Sequence, residues 1–355
     1  MEVRRLGRTE LQVKRIGFGG MTIPKVSLEQ AVATVNRALD LGVNFVDTAM
    51  AYGDSQHKIG QVMMSRREEC YLSSRSTHMD YEGMKRDIAA SLEALNTDYL
   101  DLYEPHDVST QDKYEALLSA DGALKALKEA KSEGLIRHIG FTGHNWELIK
   151  KLIATDEFEA ALITYNLADH LAAESVIPIA AAHDVGLFVM KVFGNGRLLA
   201  LRPIDEDRHP TIEESLRFAL ANEHLPLILT GVKSPDEISE NVAIAEDRAP
   251  LTESELAELR AFGERLGHGY CYGCNYCMPC PEAIDIPGIL RLLEQKERMG
   301  WDWPQLKTAY RRFERTADDC VDCAQCEEKC PQHLPIRERL KEAERQLGGR
   351  RHEHI

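Results

Sequence analysis

Eight short apolar runs, each ending in polar residues and each followed by a stretch with helical periodicity, occupy about the first 230 residues of the 355. They are RIGFGG, VNFVDTA, CYLSSR, YLDLYEPH, RHIGFTG, AALITYN, GLFVMKV and LPLILTG. Strands that are almost continuously apolar and alternate with helices imply a parallel sheet covered on both faces. Eight such units in this length predict a closed (β/α)8 TIM barrel rather than an open doubly wound sheet. The intervening stretches carry helix signals. SLEQAVATVNRALDLG has Ser27 as N-cap, Glu29 in the first turn and Gly42 as its stop, and DGALKALKEAKSEG puts Leu124, Leu127 and Ala130 on one face.

In such a barrel the active site gathers at the C-terminal ends of the strands. Those ends carry the polar residues here: Asp47, Arg75, His106, Thr142, Asn166 and Lys191 close the second to seventh runs. Polar residues that simply mark where strands stop would explain any one of them. They explain less well an Asp, an Arg and a His on three consecutive strands, with Tyr52 just beyond the first.

The ordered set LGRTELQVKRIGFGG, NFVDTAMAYGDS, DYLDLYEPHD, IGFTGHN, YN and SPDEISENVA resembles the aldo-keto reductase family over most of residues 1 to 250. The resemblance implies reduction of aldehydes and ketones with NADPH or NADH and without a metal. It makes Tyr52 the proton donor, with Asp47 and a cation tuning it and His106 orienting the carbonyl. A phenol titrates near pH 10 in water, and a buried cation beside it is expected to lower that value. One member departs from the pattern, since the family usually has lysine where this chain has Arg75. Arginine keeps the charge but gives up its proton far less readily, so Arg75 either tunes the site by charge alone or serves only to pair with Asp47.

The same resemblance places the cofactor along Gly20, Met21, Thr142, Asn166, Lys191, Phe193, Gly194, Gly231, Lys233, Glu237 and Asn241. Glycines in FGNG let backbone N–H groups approach phosphate. Leu162 stands where many relatives hold the carboxamide with glutamine. Glu237 stands where many NADPH-binding relatives carry a cation, which favours NADH, while Lys233 could meet a phosphate. Both NADP and NAD therefore stay open.

Composition changes after LTESELAELRAFGERLG, a helix capped near Thr252. Two cysteine runs follow, Cys271, Cys274, Cys277 and Cys280 before Pro281, then Cys320, Cys323, Cys326 and Cys330 before Pro331. The second has the C-x2-C-x2-C-x3-C-P spacing of bacterial two-cluster ferredoxins, and the first is one residue shorter before its last cysteine. Three thiolates two residues apart with a distal fourth suit the corners of a 4Fe-4S cubane better than paired zinc ligands or short-loop disulfides. In those ferredoxins the fourth cysteine of each run serves the other cluster. Applied here, one cluster takes Cys271, Cys274, Cys277 and Cys330, and the other takes Cys320, Cys323, Cys326 and Cys280. The organisation expected is a barrel over 1–265 and a ferredoxin-like dicluster domain over 266–355, too small to fold on its own core and stapled by its clusters. PIRERLKEAERQLGG reads as an exposed helix with Ile336, Leu340, Ala343 and Leu347 as its stripe. Barrel and tail together resemble an iron-sulfur subgroup of the aldo-keto reductases.

A formal net charge of −15 disfavours nucleic acid and anionic membrane surfaces as partners. No stretch reads as a signal peptide or a membrane span, and clustered cysteines suit a reducing compartment, so a cytoplasmic location is expected. Cys70 reads as a packed thiol. Arg311 and Arg312 read as a solvated face, or as a docking spot for a ferredoxin-like electron carrier. Three functions are compatible with these features. The first is an NAD(P)H-dependent oxidoreductase interconverting a small carbonyl compound and its alcohol. The second is a ferredoxin-coupled reductase using one-electron chemistry, and the third is a nicotinamide-binding redox or oxygen sensor. Nicotinamide moves two electrons and each cluster moves one, with no flavin motif to convert between them.

Overall fold

The computed structural model describes residues 1–196, 198–201, 208–247, 251–267, 271, 277–298, 303–330 and 334–348. Eight parallel strands close into a barrel: β1 (Ile16–Gly19), β2 (Phe45–Asp47), β3 (Tyr71–Ser76), β4 (Leu100–Pro105), β5 (Ile136–Thr142), β6 (Ala160–Thr164), β7 (Gly186–Met190) and β8 (Leu227–Gly231). Each pairs with its neighbour in chain order, and β8 returns to pair with β1. Each of the eight apolar runs holds one of these strands, with Ser76 of β3 and Ile136 of β5 one residue outside.

The helix Leu28–Asp40 begins where Ser27 Oγ accepts the Gln30 N–H at 3.2 Å, and Gly42 ends it in the left-handed region at φ +78°. The sequence reading does not anticipate what precedes β1. Val3–Arg5 and Gln12–Lys14 form an antiparallel hairpin whose Leu6, Leu11 and Val13 pack with Phe45, Leu102, Leu162, Phe188 and Leu227 of the barrel interior. This apolar layer seals the N-terminal end of the barrel. The hairpin sits so close to β7 that a side chain on Gly186 would meet the Leu6 carbonyl carbon at 2.6 Å.

Two compact units are present, Met1–Asn195 with Thr211–Arg260 and Gly196–Pro210 with Ala261–Ile355. The second has a core of its own, which corrects the expectation of a segment held together by clusters alone. Ile284, Ile289, Leu293, Leu306, Tyr310 and Leu334 are buried together with Cys271, Cys326 and Cys330. The last helix, Ile336–Leu347, is amphipathic rather than simply exposed: Ile336, Leu340, Ala343 and Leu347 are all buried in that same core. Its entry is fixed by Arg337, whose backbone N–H and guanidinium both bond Glu327 in the second cysteine run. Among the described residues no helix is long and apolar enough to cross a membrane.

Candidate active site

Side chains alternate along a strand, and on β4 the alternation separates two acids. Asp101 faces outward, where Arg67 and Arg137 pair with it at 2.7 and 3.2 Å. Leu102 enters the apolar layer inside the barrel, so Glu104, two residues on, shares its face one layer nearer the C-terminal end. On β3, Ser73 and Arg75 stand in the same relation. Ser73 is the Cα partner of Asp47 on β2, and Arg75 is the partner of Glu104 on β4.

A buried cation between two carboxylates results. An Arg75 Nη bonds Asp47, and Arg75 Nε lies 3.4 Å from Glu104 Oε2, an ion-pair distance whose geometry falls short of a hydrogen bond. Arg75 is 1 % exposed, Asp47 3 % and Glu104 0 %. Burial raises both carboxyls against the pull of Arg75, Asp47 to about 6 and Glu104 further, to about 8. Two acids on one guanidinium titrate as a pair, and the proton rests on Glu104 because Asp47 holds the direct bond. Arg75 remains charged.

Tyr52 and His106 stand over this group. The Tyr52 ring lies 5.9 Å from the His106 ring, edge to face, and Arg75 Cζ is 5.9 Å from the Tyr52 ring centroid. Among the described residues His106 Nδ1 is buried without a hydrogen-bond partner. Burial, reinforced by Arg75, pushes the His106 pKa down to about 3, so its ring is neutral at pH 7. For Tyr52 the outcome differs from the expectation. Arg75 does pull the phenol down, but burial first, then Asp47 and Glu104, hold it above its ordinary value.

A second polar cluster lies at the ends of β5, β6 and β7. Lys191, at φ +60°, places Nζ 3.1 Å from His144 Nε2, and His144 Nδ1 is 3.2 Å from Thr164 Oγ1. Burial and Lys191 lower the His144 pKa to about 4. Burial raises Asp169 to about 7 against Lys191. Sequence reasoning missed Glu104, His144 and Asp169; the available signal for Glu104 was a second acid, three residues after Asp101, near the end of a largely apolar run.

The residues assigned to cofactor by resemblance are partly committed elsewhere. Thr142 Oγ1 accepts the Asp107 N–H at 2.8 Å. Asn166 Oδ1 accepts the N–H groups of Ala168 and Asp169, both at 3.0 Å, and its Nδ2 donates to the Lys191 carbonyl at 3.1 Å. Leu162 is buried in the apolar layer. Glu237 Oε2 accepts the Lys233 N–H at 2.7 Å, so its carboxylate acts as a local cap at the start of the helix Pro235–Glu246. Asn241 is buried on that helix, and Phe193 and Gly194 lie in the turn after β7, with Gly194 at φ +55°. Gly231, Lys233 and Met21 are exposed around the mouth. Gly20 is packed so tightly that a side chain would meet Ser55 Oγ at 2.7 Å and the Asp47 carbonyl oxygen at 2.8 Å. Lys233 is exposed next to a helix N-terminus, a setting that could receive an anion, and among the described residues it carries no ion pair.

Residues 15–215 match the aldo/keto reductase family. The chain belongs to that family. Among relatives of this reductase, the uncharacterized oxidoreductase YqkF of Bacillus subtilis is 24 % identical over 304 residues, covering 74 % of this chain and 96 % of the relative. The NADH-specific methylglyoxal reductase of Escherichia coli is 22 % identical over 324 residues, covering 74 % and 98 %. Among solved structures, the holo form of an aldo-keto reductase from Bacillus halodurans superposes with a TM-score of 0.64 at 25 % identity, covering 74 % of this chain and 96 % of that one.

The reductase carries a second module, since residues 270–335 match a 4Fe-4S dicluster domain. Cys274 lies outside the described residues. Cys277 and Cys280 of the first run line one cavity with Cys320, Cys323 and Cys326 of the second, together with Ile284, Ile286 and Leu340. The Cys271 N–H donates to the buried Glu294 carboxylate at 2.6 Å. Among the described residues no three His, Cys, Asp or Glu side chains are grouped closely enough for a single ion. A four-iron cubane spaces its thiolates more widely than one ion does, and its donor set is all thiolate; five cysteines line this cavity. Cys70 stands apart, buried against Met63 with its thiol pushed up to about 12.

Proposed function

We propose that this protein is an NAD(P)H-dependent reductase that interconverts a small carbonyl compound and its alcohol at the barrel mouth, and that its C-terminal domain holds two 4Fe-4S clusters. The observation that carries the reading is the Tyr52 ring set edge to face against a neutral His106 and close to a buried Arg75. The relative named as an NADH-specific methylglyoxal reductase supports both the cofactor class and the small carbonyl.

A bound nicotinamide would supply the hydride that reduces the carbonyl carbon. The chain's own residues deal with the oxygen. His106, neutral, donates a hydrogen bond that orients the carbonyl, and Tyr52 gives its O–H proton to the oxygen as charge develops there. Arg75 stabilises the phenolate left behind, and Asp47 holds Arg75 in place. Lys233 and the helix N-terminus at Pro235 would receive the phosphates, while Glu237, spent on the Lys233 N–H, gives less support for NADH than its charge suggests.

For the clusters, Cys320, Cys323 and Cys326 with Cys280 would hold one, and Cys271, Cys274 and Cys277 with Cys330 the other. The cavity that Cys277 and Cys280 share with the second run supports a cluster site built from both runs, and the crossed choice of fourth ligand rests on the spacing. A ferredoxin-like carrier as electron partner fits the same domain.

The test is anaerobic, with clusters reconstituted. Oxidation of NADH and of NADPH is followed against methylglyoxal and a panel of aldehydes and ketones, for the native chain, Tyr52→Phe and Cys320→Ala. Turnover that is lost in Tyr52→Phe but kept in Cys320→Ala supports carbonyl reduction independent of the clusters. Equal loss in both, with the fold intact, points to cluster-linked chemistry. Tight nicotinamide binding without turnover of any carbonyl overturns the proposal in favour of a sensor.

A further inference from the structure

The acid on β4 has no role in the reading above, and its surroundings are unusual. Glu104 is fully buried, and among the described residues neither of its carboxylate oxygens has a hydrogen-bond partner and its one paired cation, Arg75, is bonded directly to a second carboxylate, Asp47. Space has been left for it. On β5 the neighbouring position is Gly140, where a side chain would meet Glu104 Cγ at 3.2 Å and Leu102 Cδ1 at 3.1 Å.

We infer that Glu104 is a positioning residue that acts through Arg75: by holding or releasing a proton, it sets whether Tyr52 faces an Asp47–Arg75–Glu104 group of net charge zero or minus one. The inference rests on Tyr52 being the proton donor of the proposed reaction. The groups facing Glu104 define the charge count. They are Arg75 and Ser73 from β3, Asp47 from β2 and Tyr52 from the loop after β2, with the neutral His106 just beyond the end of β4. From β5, Gly140 lies against Glu104. With Glu104 protonated, Arg75 and Asp47 cancel and the phenolate is tolerated. With Glu104 ionised, a net negative charge stands under Tyr52 and opposes its ionisation. Glu104 neither gives nor takes the transferred proton, which passes from the Tyr52 hydroxyl to the carbonyl oxygen.

The experiment titrates Tyr52 by ultraviolet absorbance in the full, cluster-loaded chain. The signal is the difference between the protein and its Tyr52→Phe variant, measured with Glu104 and with Glu104→Gln. A unit charge within about 10 Å, at an effective dielectric near 20, moves a midpoint by on the order of one pH unit. Glu104→Gln is therefore expected to lower the Tyr52 midpoint by roughly one unit, about tenfold more phenolate at a given pH. In turnover, kcat/KM for carbonyl reduction by the wild type is expected to fall severalfold as pH rises through about 8, and Glu104→Gln to lose that fall. A merely structural residue would lower kcat/KM by the same factor at every pH. The same Tyr52 midpoint in both backgrounds, or an alkaline fall that survives in Glu104→Gln, overturns the inference. Should Glu104→Gln not fold, Glu104→Asp withdraws the carboxyl by one methylene and is expected to move the Tyr52 midpoint; an unmoved midpoint refutes the coupling. The optical titration needs no substrate, so a wild type that reduces no carbonyl would sink the proposed function while the Glu104–Tyr52 coupling is still measured.

Discussion

Replacing Arg75 by methionine removes the one cation that two buried carboxylates share. Asp47 and Glu104 are 3 % and 0 % exposed, so water cannot replace the guanidinium. Breaking a buried pair by deleting one partner costs about 3–5 kcal/mol, because the charge left behind is uncompensated. For a domain of this size each kcal/mol corresponds to about 2–4 °C, which gives a fall in Tm of roughly 6–20 °C at neutral pH. The loss depends on pH with a definite sign. Both carboxyls are already raised, to about 6 and about 8, and without Arg75 they rise further. A carboxyl raised in the folded state contributes stability that is present below its unfolded pKa and is lost as pH rises through its folded value. The Arg75→Met defect should therefore be small near pH 5, where both acids are protonated, and largest above pH 8. Thermal unfolding of the wild type, Arg75→Met and Arg75→Met with Glu104→Gln, followed anaerobically by far-ultraviolet circular dichroism at pH 5, 7 and 9, measures it. The double variant should regain part of the loss at alkaline pH. A Tm difference that is constant across pH, or below about 2 °C at pH 9, would refute the claim that Arg75 is the counter-charge for both acids.

Other consequences are measurable. Gly140→Ala places a methyl 3.0 Å from the Ala160 carbonyl oxygen and 3.2 Å from Glu104 Cγ, and should destabilise the barrel by about 1–3 kcal/mol, read by urea unfolding. His106, depressed to about 3 by burial and Arg75, should show no imidazole titration by NMR between pH 5 and 8; its contribution to stability, present above its unfolded pKa, is lost progressively as pH falls from that value to about 3. Cys326→Ser, at a buried position lining the shared cysteine cavity, should lower the iron bound per chain and the helical signal of the C-terminal unit while leaving the Tyr52 titration unmoved, read by iron analysis and circular dichroism.

The barrel is legible in the sequence because parallel strands buried on both faces read as nearly unbroken apolar runs, and each of the eight keeps its own run. The hairpin beneath it is not, because Val3–Arg5 and Gln12–Lys14 are three residues each, too short for a period to show, and both carry charge. Residue types at strand ends pointed to Asp47, Tyr52, Arg75 and His106, and the structure brings these four together. Glu104 escaped notice since only the register of β4 on β3 sets it beside Arg75. The direction of the Tyr52 shift was out of reach for a related reason. A cation nearby is visible from residue types, whereas burial and a second carboxylate, which outweigh it, are properties of the closed barrel. The cysteine runs are the opposite case, because their spacing is covalent and needs no fold to be read. What the spacing could not convey is that the C-terminal unit has its own apolar core, assembled when the last helix lays Ile336, Leu340, Ala343 and Leu347 against Ile289 and Leu293.

Arginine in place of the family's usual lysine is best understood together with Glu104. An ammonium is a point charge on a flexible stem and can release its proton when buried; a guanidinium is a planar fork that stays charged. At the Arg75 position the fork faces two strands, with Nη to Asp47 on β2 and Nε toward Glu104 on β4, a task that suits two separate edges of one rigid group better than one ammonium. What the site gives up is a cation able to shed its proton, and with it a way of changing the charge under Tyr52. A buried carboxyl on the neighbouring strand restores that freedom, since it can be neutral or negative while Arg75 and Asp47 stay as they are. Taken alone, Arg75 looks like a substitution that weakens the chemistry. Taken with Glu104 and the glycine that makes room for it, the same substitution moves the titrating group from the cation to an acid one strand away.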